Sequence, residues 1–124
     1  MPRHDERLTG YQHRYAYMNS RLGNSGILKH DLAAGTSEFF DHGPGRVGIE
    51  TLFVPMSADS AEDDGWLITS VIDMPTDSSE VLIYHAQDLL GGPVATIHIP
   101  HRHNAGFHGN WIPDSEIENA TGQV

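Results

Sequence analysis

The sequence predicts an all-β protein built from antiparallel strands, as in a sandwich, a barrel or a propeller. Short runs rich in β-branched and aromatic residues recur along the 124 residues, at a spacing of roughly 8–14 residues that is typical of such folds. Glycine, proline, asparagine and aspartate separate these runs, as expected for turns. No window of the sequence shows the apolar periodicity of an amphipathic helix.

The first half of the chain contains a short aromatic strand, a hairpin and a further strand. The predicted strands are residues 15–18 (YAYM), Gly26–Asp31, 37–41 (SEFFD) and 50–55 (ETLFVP). The small residues 33–36 (AAGT) favour a turn between the second and third strands, so these two form a hairpin. The sequence His-Gly-Pro-Gly at residues 42–45 is a second turn, and Pro55 ends the last strand.

The second half contains the clearest strands of the sequence. We predict strands over residues 66–73 (WLITSVID), 80–86 (EVLIYHA) and 94–99 (VATIHI). Turn residues at 74–79 make the first two a hairpin. Two similar strand-and-turn units, about 55 residues apart, fit successive blades of a propeller. Residues 114–124 are polar, and we expect a disordered tail there after a folded region of residues 1–113.

Composition and charge limit the classes of function. The formal net charge is −10, from 17 acidic and 7 basic residues. This argues against a nucleic-acid partner, because phosphate binding needs lysine and arginine. The absence of cysteine excludes disulfides, thiolate zinc sites and cysteine nucleophiles, and it fits a cytoplasmic protein. No apolar run approaches the length needed to span a bilayer, and the first residues have no signal-peptide pattern.

Four of the nine histidines fall within eleven positions: His98, His101, His103 and His108. Neutral imidazole is a common ligand of transition metals, so one hypothesis is a histidine-cluster metal site. His101 and His103 flank Arg102, however, and a cation among the ligands is unfavourable for metal binding. We therefore interpret three of these side chains as structural or solvated, together with two histidines at strand ends: His98, His101, His103, His30 and His85.

His108 is the strongest metal-ligand candidate in this group, and Glu50 is a candidate to orient it. His108 lies between Phe107 and Gly109, where the aromatic ring can exclude water and the glycine lets the backbone approach closely. Glu50 precedes an apolar run at residues 52–54. Buried beside a metal-binding histidine, its carboxylate would orient the imidazole by accepting the free ring N–H. The alternative is a simple turn carboxylate.

Other motifs give no catalytic assignment. The acidic run at residues 62–64 (EDD) lacks the ligand spacing of a calcium loop, so we interpret it as a solvated loop at the entry to a hairpin. The sequence has no Gly-x-Ser-x-Gly nucleophile motif and no P-loop. The residues therefore favour no hydrolase or nucleotide-binding function.

Taken together, several segments resemble the carotenoid cleavage oxygenase family, which also contains apocarotenoid oxygenases, lignostilbene dioxygenases and the retinal-pigment-epithelium isomerohydrolase. The segments that carry the resemblance are residues 2–17 (PRHDERLTGYQHRYAY), 43–55 (GPGRVGIETLFVP), 62–67 (EDDGWL), 86–89 (AQDL) and 106–111 (GFHGNW). They occur in the family's order and spacing over residues 2–113. Thr51 departs from the pattern, since the family usually has proline after this glutamate.

The resemblance implies a seven-bladed β-propeller that holds a non-haem Fe(II) ion on its axis through four histidines, three of them oriented by glutamates. The iron activates O₂, and a C=C bond of a carotenoid, apocarotenoid or stilbene is cleaved to two carbonyl products. By position, His108 matches the last iron-binding histidine, and Glu50 matches an orienting glutamate 58 residues earlier. The other three histidines would lie upstream, so we expect about the last two blades of a longer parent, as a C-terminal fragment.

We expect this fragment alone to be inactive, because one imidazole cannot form a catalytic iron site. Its partners would be the N-terminal blades of the parent, and the parent would act on a hydrophobic polyene or stilbene with O₂. We expect the parent to be cytoplasmic, and the resemblance also implies that the parent associates with the membrane surface as a peripheral protein. Two alternatives stay open: a non-enzymatic β-module that pairs its edge strands with a partner chain, and the histidine-cluster metal binder described above.

Overall fold

A computed structural model describes residues 1–20 and 25–122 of the chain, which form two antiparallel β-sheets. The strands are β1 (Tyr15–Ser20), β2 (Gly26–Asp31), β3 (Thr36–Asp41), β4 (Arg46–Pro55), β5 (Gly65–Asp73), β6 (Ser78–His85) and β7 (Ala95–Ile99). The helical elements are two short 3₁₀ helices, at Glu6–Leu8 and Ala86–Gly91, and one α-helix, α1 (Asp114–Thr121). The predicted all-β class is therefore confirmed.

Each sheet is an up-and-down meander whose neighbouring strands are consecutive in the chain. Sheet 1 has the order β1-β2-β3, and sheet 2 has the order β4-β5-β6-β7. The hairpins predicted from turn residues are β2–β3 and β5–β6. The strand β4 begins at Arg46 rather than at residue 50. Its first part was not predicted because Gly48 is unfavourable in strands and an irregularity after it breaks the apolar alternation.

One hydrophobic core lies between the two sheets. Tyr17 of β1 stacks on Phe53 of β4, with ring centroids 5.5 Å apart. The core also takes side chains from the second 3₁₀ helix, and its buried members are Tyr17, Ile27, Phe53, Leu67, Val71, Leu82, Tyr84, Ala86 and Leu89. Because this core is shared, the sheets pack as one unit and β1 lies beside β4.

The acidic loop between β4 and β5 ties sheet 2 to sheet 1, and the prediction of a solvated loop is wrong. Glu62 accepts hydrogen bonds from the backbone N–H groups of Arg14 and Tyr15. Asp63 forms an ion pair with Lys29 of β2, whose side chain is only 9% exposed. These carboxylates satisfy amides at a strand end and a buried ammonium group. Such partners depend on the packing of the sheets and leave no pattern in the local sequence.

The polar C-terminal segment forms a helix where the sequence predicts a disordered tail. Pro113 is the extended N-cap residue of α1. Asp114 and Glu116 lie in the first turn of α1, where negative charge interacts favourably with the helix dipole. No residue of α1 is buried, and its sequence DSEIENAT contains too few apolar residues to form a stripe that a periodicity analysis could detect. In the described part of the chain, no helix has the length and apolar character needed to cross a membrane.

A buried histidine links the turn after sheet 1 to the first strands of both sheets. His42 is 7% exposed, and its Nε2 lies 3.3 Å from Oδ1 of Asn19. The amide nitrogen of Asn19 donates to the hydroxyls of Thr51 and Thr69, so its oxygen accepts from Nε2–H of His42. Burial, and then the nearby charge of Arg46, lower the pKa of His42 from 6.5 to about 4. The imidazole is therefore neutral at pH 7.

His42 should make the stability of the chain fall as the pH drops from 6.5 to about 4. In this window the unfolded chain binds a proton at residue 42 and the folded chain does not, so protonation favours unfolding. We expect a loss of at most about 3 kcal/mol. Urea unfolding at pH 7 and pH 4.5 measures the loss. His42→Asn should reduce it, the exposed control His101→Asn should not, and equal losses in all three proteins would contradict the assignment.

Candidate metal-ligand site

The candidate site forms where β1, at the edge of sheet 1, lies beside β4, at the edge of sheet 2. The N-terminal segment pairs with β1, because Arg3 and Tyr17 exchange two backbone hydrogen bonds of 2.7 Å. The C-terminal segment returns to β4, where His108 and Gly109 contact Glu50. Two edge strands and two segments that are distant in sequence therefore meet at one place.

Glu50 lies in a β-bulge of β4. The pairing of β4 with β5 shifts between Gly48 and Thr51, so that Ile49 and Glu50 together lie opposite Ser70. A bulge changes the direction of a side chain relative to regular strand alternation. The side chain of Glu50 is 5% exposed. Because Glu50 is buried and lies within β4, the alternative of a simple turn carboxylate is wrong.

The structure brings His108 and Glu50 into direct contact. Nδ1 of His108 lies 3.2 Å from Oε1 of Glu50, and the backbone N–H of Gly109 donates to Oε2 at 2.9 Å. Because a carboxylate oxygen accepts, this contact selects the neutral tautomer with the proton on Nδ1, in which Nε2 holds the lone pair that binds metals. The imidazole is 53% exposed, and Nε2 has no hydrogen-bond partner within the described ranges. The role of this pair at a metal stays a prediction.

The other histidines of the C-terminal group lie apart from this pair. Nδ1 of His98 contacts Glu80 at 3.1 Å, and the His98 side chain is largely exposed. His103 contacts the hydroxyl of Ser70 and the carbonyl of Asn104, which indicates a structural role. Among residues 1–20 and 25–122, no three metal-ligating side chains come together in a group that could hold an ion. The structure therefore gives no support to the histidine-cluster alternative.

Two residues of the site, Arg3 and Asn110, were not predicted from the sequence. One guanidinium nitrogen of Arg3 lies 3.7 Å from Oε1 of Glu50, and the other donates to Oδ1 of Asn110 at 3.1 Å. Arg3 and Asn110 are 107 residues apart in the chain. No local pattern connects positions so distant, so their meeting follows only from the packing of the two chain segments.

A cavity of about 440 Å³ adjoins the site. Arg3, Leu52 and Trp111 line it, together with Ser115 and Glu116 of α1. Neither His108 nor Glu50 lines this cavity, so it does not open onto the free nitrogen of the imidazole. We assign no ligand to it.

The fold and the site define a class of protein: an all-β chain that presents an imidazole, oriented by a buried carboxylate, at the edge between two sheets. Proteins commonly orient metal-binding histidines in this way. Nε2 of His108 is a suitable donor for a metal ion, as one ligand among several. The described residues supply no further group of ligands, so a metal held by His108 needs ligands from outside them.

Comparison with known proteins identifies the family. A family model described as retinal pigment epithelial membrane protein matches residues 1–113, and the chain belongs to this family. Carotenoid 9,10(9',10')-cleavage dioxygenase 1 of Pisum sativum is 34% identical over 135 residues, which cover 94% of this chain and 25% of the relative. The family resemblance predicted from the sequence is confirmed.

Two solved structures share the fold of this region. The cobalt-substituted apocarotenoid oxygenase of Synechocystis has a TM-score of 0.83 at 32% identity, and the match covers 90% of this chain and 24% of that chain. The lignostilbene dioxygenase of Pseudomonas brassicacearum has a TM-score of 0.84 at 26% identity, with coverages of 90% and 26%. The chain therefore spans about a quarter of the length of the relatives it matches.

Proposed function

We propose that the chain is the C-terminal part of a non-haem Fe(II) dioxygenase that uses O₂ to cleave a C=C bond of a carotenoid, apocarotenoid or stilbene into two carbonyl products. The observation that carries the proposal is the contact between Nδ1 of His108 and the buried carboxylate of Glu50. The family resemblance implies a metal-binding histidine at position 108 and its orienting glutamate at position 50. The names of the relatives, which include carotenoid cleavage and lignostilbene dioxygenases, support the substrate class.

In this proposal, His108 is one of the protein ligands of the iron, through Nε2. Imidazole nitrogen is a suitable ligand for Fe(II). The bound iron would supply the activation of O₂ and the electrons for it, with no organic cofactor. The cobalt-substituted relative supports a metal ion in this fold.

The chain's own residues prepare the imidazole for this role. Glu50 holds the proton at Nδ1, which keeps the lone pair on Nε2 and restrains rotation of the ring. The N–H of Gly109 holds the second oxygen of the same carboxylate, so Glu50 is fixed at both oxygens. Phe107 precedes the ligand and is 90% exposed. Its ring would exclude water from the iron once the rest of the parent covers it.

We also propose that the rest of a seven-bladed propeller covers the outer surfaces of the two sheets and supplies the other three histidines. Phe39 on β3, Val94 before β7 and Ile97 on β7 are 39%, 52% and 54% exposed. Apolar side chains at the outer strands of both sheets support a covered surface in the parent. For location, we propose a cytoplasmic parent with peripheral membrane association, as the resemblance implies.

A non-enzymatic β-module is the second candidate function. The terminal strands β3 and β7 each have one edge without a neighbouring strand in the described sheets, and such an edge can pair with a strand of a partner chain. In that case the contact between His108 and Glu50 would be structural only. The two candidate functions make different predictions for a substitution of His108 in the complete protein. The substitution lowers the iron content if the chain is part of the dioxygenase, and it leaves the iron content unchanged if the chain is a non-enzymatic module.

A hybrid protein tests the proposed function. In this hybrid, the chain replaces the quarter of the Synechocystis apocarotenoid oxygenase that it matches. We expect the hybrid to contain about one iron per molecule, since the host supplies the remaining ligands, and to cleave an apocarotenoid to two carbonyl products. A soluble, cooperatively melting hybrid that contains no iron and cleaves nothing would contradict the proposal.

The isolated chain should contain no stoichiometric iron. One imidazole supplies too few ligands to hold the ion against water. We expect metal analysis of the purified chain to find far less than one iron per molecule, and we expect added Fe(II) to leave the urea midpoint unchanged. One tightly bound iron per chain, lost in His108→Ala, would instead indicate a complete site within the 124 residues.

A further inference from the structure

We propose that Arg3 is a positioning residue for His108 that acts through Glu50 and Asn110. The inference rests on the proposed function and adds a residue to the same site. The guanidinium of Arg3 contacts both the bulge of β4 and the loop that carries His108. It therefore joins the two segments whose separation sets the distance between the carboxylate and the imidazole.

The backbone of Arg3 is fixed on sheet 1. Its N–H donates to the carbonyl of Tyr17 and its carbonyl accepts from the N–H of Tyr17, both at 2.7 Å. Tyr17 is fully buried in the core, so this pairing holds Arg3 beside a residue that is fixed by core packing. The side chain, 19% exposed, then extends from sheet 1 towards β4 of sheet 2. Arg3 is thus anchored independently of the two groups that it contacts.

Within residues 1–20 and 25–122, Arg3 has three side-chain partners, and they differ in burial. It contacts Oε1 of Glu6 at 2.6 Å, but the Glu6 side chain is 64% exposed, and exposed ion pairs contribute little free energy. It contacts Glu50 at 3.7 Å, and that side chain is 5% exposed. A buried carboxylate is costly without a compensating charge. We therefore expect the interaction with Glu50 to contribute more free energy than the interaction with Glu6, although the contact with Glu6 is shorter.

The geometry links Arg3 to the orientation of the imidazole. Oε1 of Glu50 is the atom that faces both Arg3 and Nδ1 of His108. Asn110 follows the ligand by two residues, and its Oδ1 accepts from Arg3 at 3.1 Å. A planar guanidinium can hold two acceptors in fixed directions, which lysine cannot do. Loss of Arg3 should free both the carboxylate and the loop, and so disorder the imidazole.

The test measures iron affinity in the hybrid protein, by iron loss to a chelator, together with the melting temperature of the iron-free protein. Arg3→Gln should raise the iron dissociation constant about tenfold, the size expected when a group that orients a ligand is lost. Arg3→Lys should weaken iron binding less than Arg3→Gln does, because lysine keeps the positive charge but lacks the planar group that can bind two acceptors at once. The matched control Glu6→Gln removes the exposed ion pair of Arg3 and should leave the iron affinity unchanged.

A double-mutant cycle separates positioning from general stability. If Arg3 acts through Glu50 and Asn110, adding Arg3→Gln to a protein that carries both Glu50→Gln and Asn110→Ala should weaken iron binding by less than about twofold further. Full additivity of Arg3→Gln with this pair of substitutions would overturn the inference. So would an Arg3→Gln protein that melts lower without iron but binds iron as tightly as the unsubstituted hybrid.

The outcomes for Arg3 and for the proposed function are distinguishable. If His108→Ala leaves the iron content of the hybrid unchanged, the proposed function fails and Arg3 loses its role with it. If His108→Ala removes the iron while Arg3→Gln leaves the affinity unchanged, only the inference about Arg3 fails.

Discussion

Glu50→Ala should weaken iron binding in the hybrid protein by about 10- to 100-fold, the range found when an orienting partner of a metal ligand is removed. The carboxylate accepts from Nδ1 of His108 and from the N–H of Gly109. Without it, the ring loses its tautomer preference and its fixed direction, and the freed amide lies in a partly buried region. Iron content after dialysis against a chelator, with the rate of apocarotenoid cleavage, measures the effect.

Two further variants show whether the carboxylate acts on the ligand. Glu50→Gln keeps an oxygen acceptor and should retain more iron than Glu50→Ala. Glu80→Gln changes a second Glu–His pair, in which Oε1 of Glu80 lies 3.1 Å from Nδ1 of His98, and should leave iron binding unchanged. Equal iron affinity of Glu50→Ala and the unsubstituted hybrid would show that His108 needs no carboxylate.

Lys29→Met should destabilise the isolated chain by about 3 kcal/mol, the lower end of the range for breaking a buried ion pair on one side. Nζ of Lys29 lies 3.1 Å from Oδ2 of Asp63 and donates to the carbonyl of Ala86 at 2.7 Å. It also lies 4.5 Å from the ring centroid of Tyr15. Burial pushes the pKa of Asp63 up, but hydrogen bonds from Gln87 and Lys29 lower it overall. Removing the ammonium group therefore leaves a carboxylate without its charge partner.

Urea unfolding at pH 7 measures this loss. Adding Asp63→Asn to Lys29→Met removes the unpaired carboxylate and should restore part of the stability. Arg102→Met is the matched control, because it removes an ion pair with Asp77 whose side chains are 47% and 79% exposed. It should cost less than about 1 kcal/mol. A similar loss of unfolding free energy in Lys29→Met and Arg102→Met would show that the buried ion pair between Lys29 and Asp63 stabilises the chain no more than an exposed one does.

The strands were predictable because their signals are local. The predicted bounds Gly26–Asp31 are those of β2, where a short run leads into the turn residues at 33–36. The start of β4 was missed because the bulge between Gly48 and Thr51 breaks the two-residue period. The helix α1 was missed because it buries no apolar stripe. In both cases the structure is set by backbone geometry or by local charges that hydrophobic patterning does not report.

The candidate site was predictable only in part. His108 and Glu50 are identified by the family motifs that contain them, and the structure brings them within 3.2 Å. Arg3 also lies in such a motif, but its contacts with Glu50 and Asn110 depend on how the two chain segments pack. The ion pair of Asp63 also depends on packing, so the sequence did not distinguish this loop carboxylate from a solvent-exposed one. Local sequence reveals which residues have useful chemistry, whereas packing decides which of them meet.

The central claim is that His108 is an iron ligand, and iron content of the hybrid tests it most directly. The comparison is between His108→Ala and His98→Ala, since each histidine contacts a glutamate through Nδ1, at 3.2 Å and 3.1 Å. We predict that the hybrid with His98→Ala keeps about one iron per molecule and that the hybrid with His108→Ala loses most of it. Equal iron content in the two folded variants would contradict the claim.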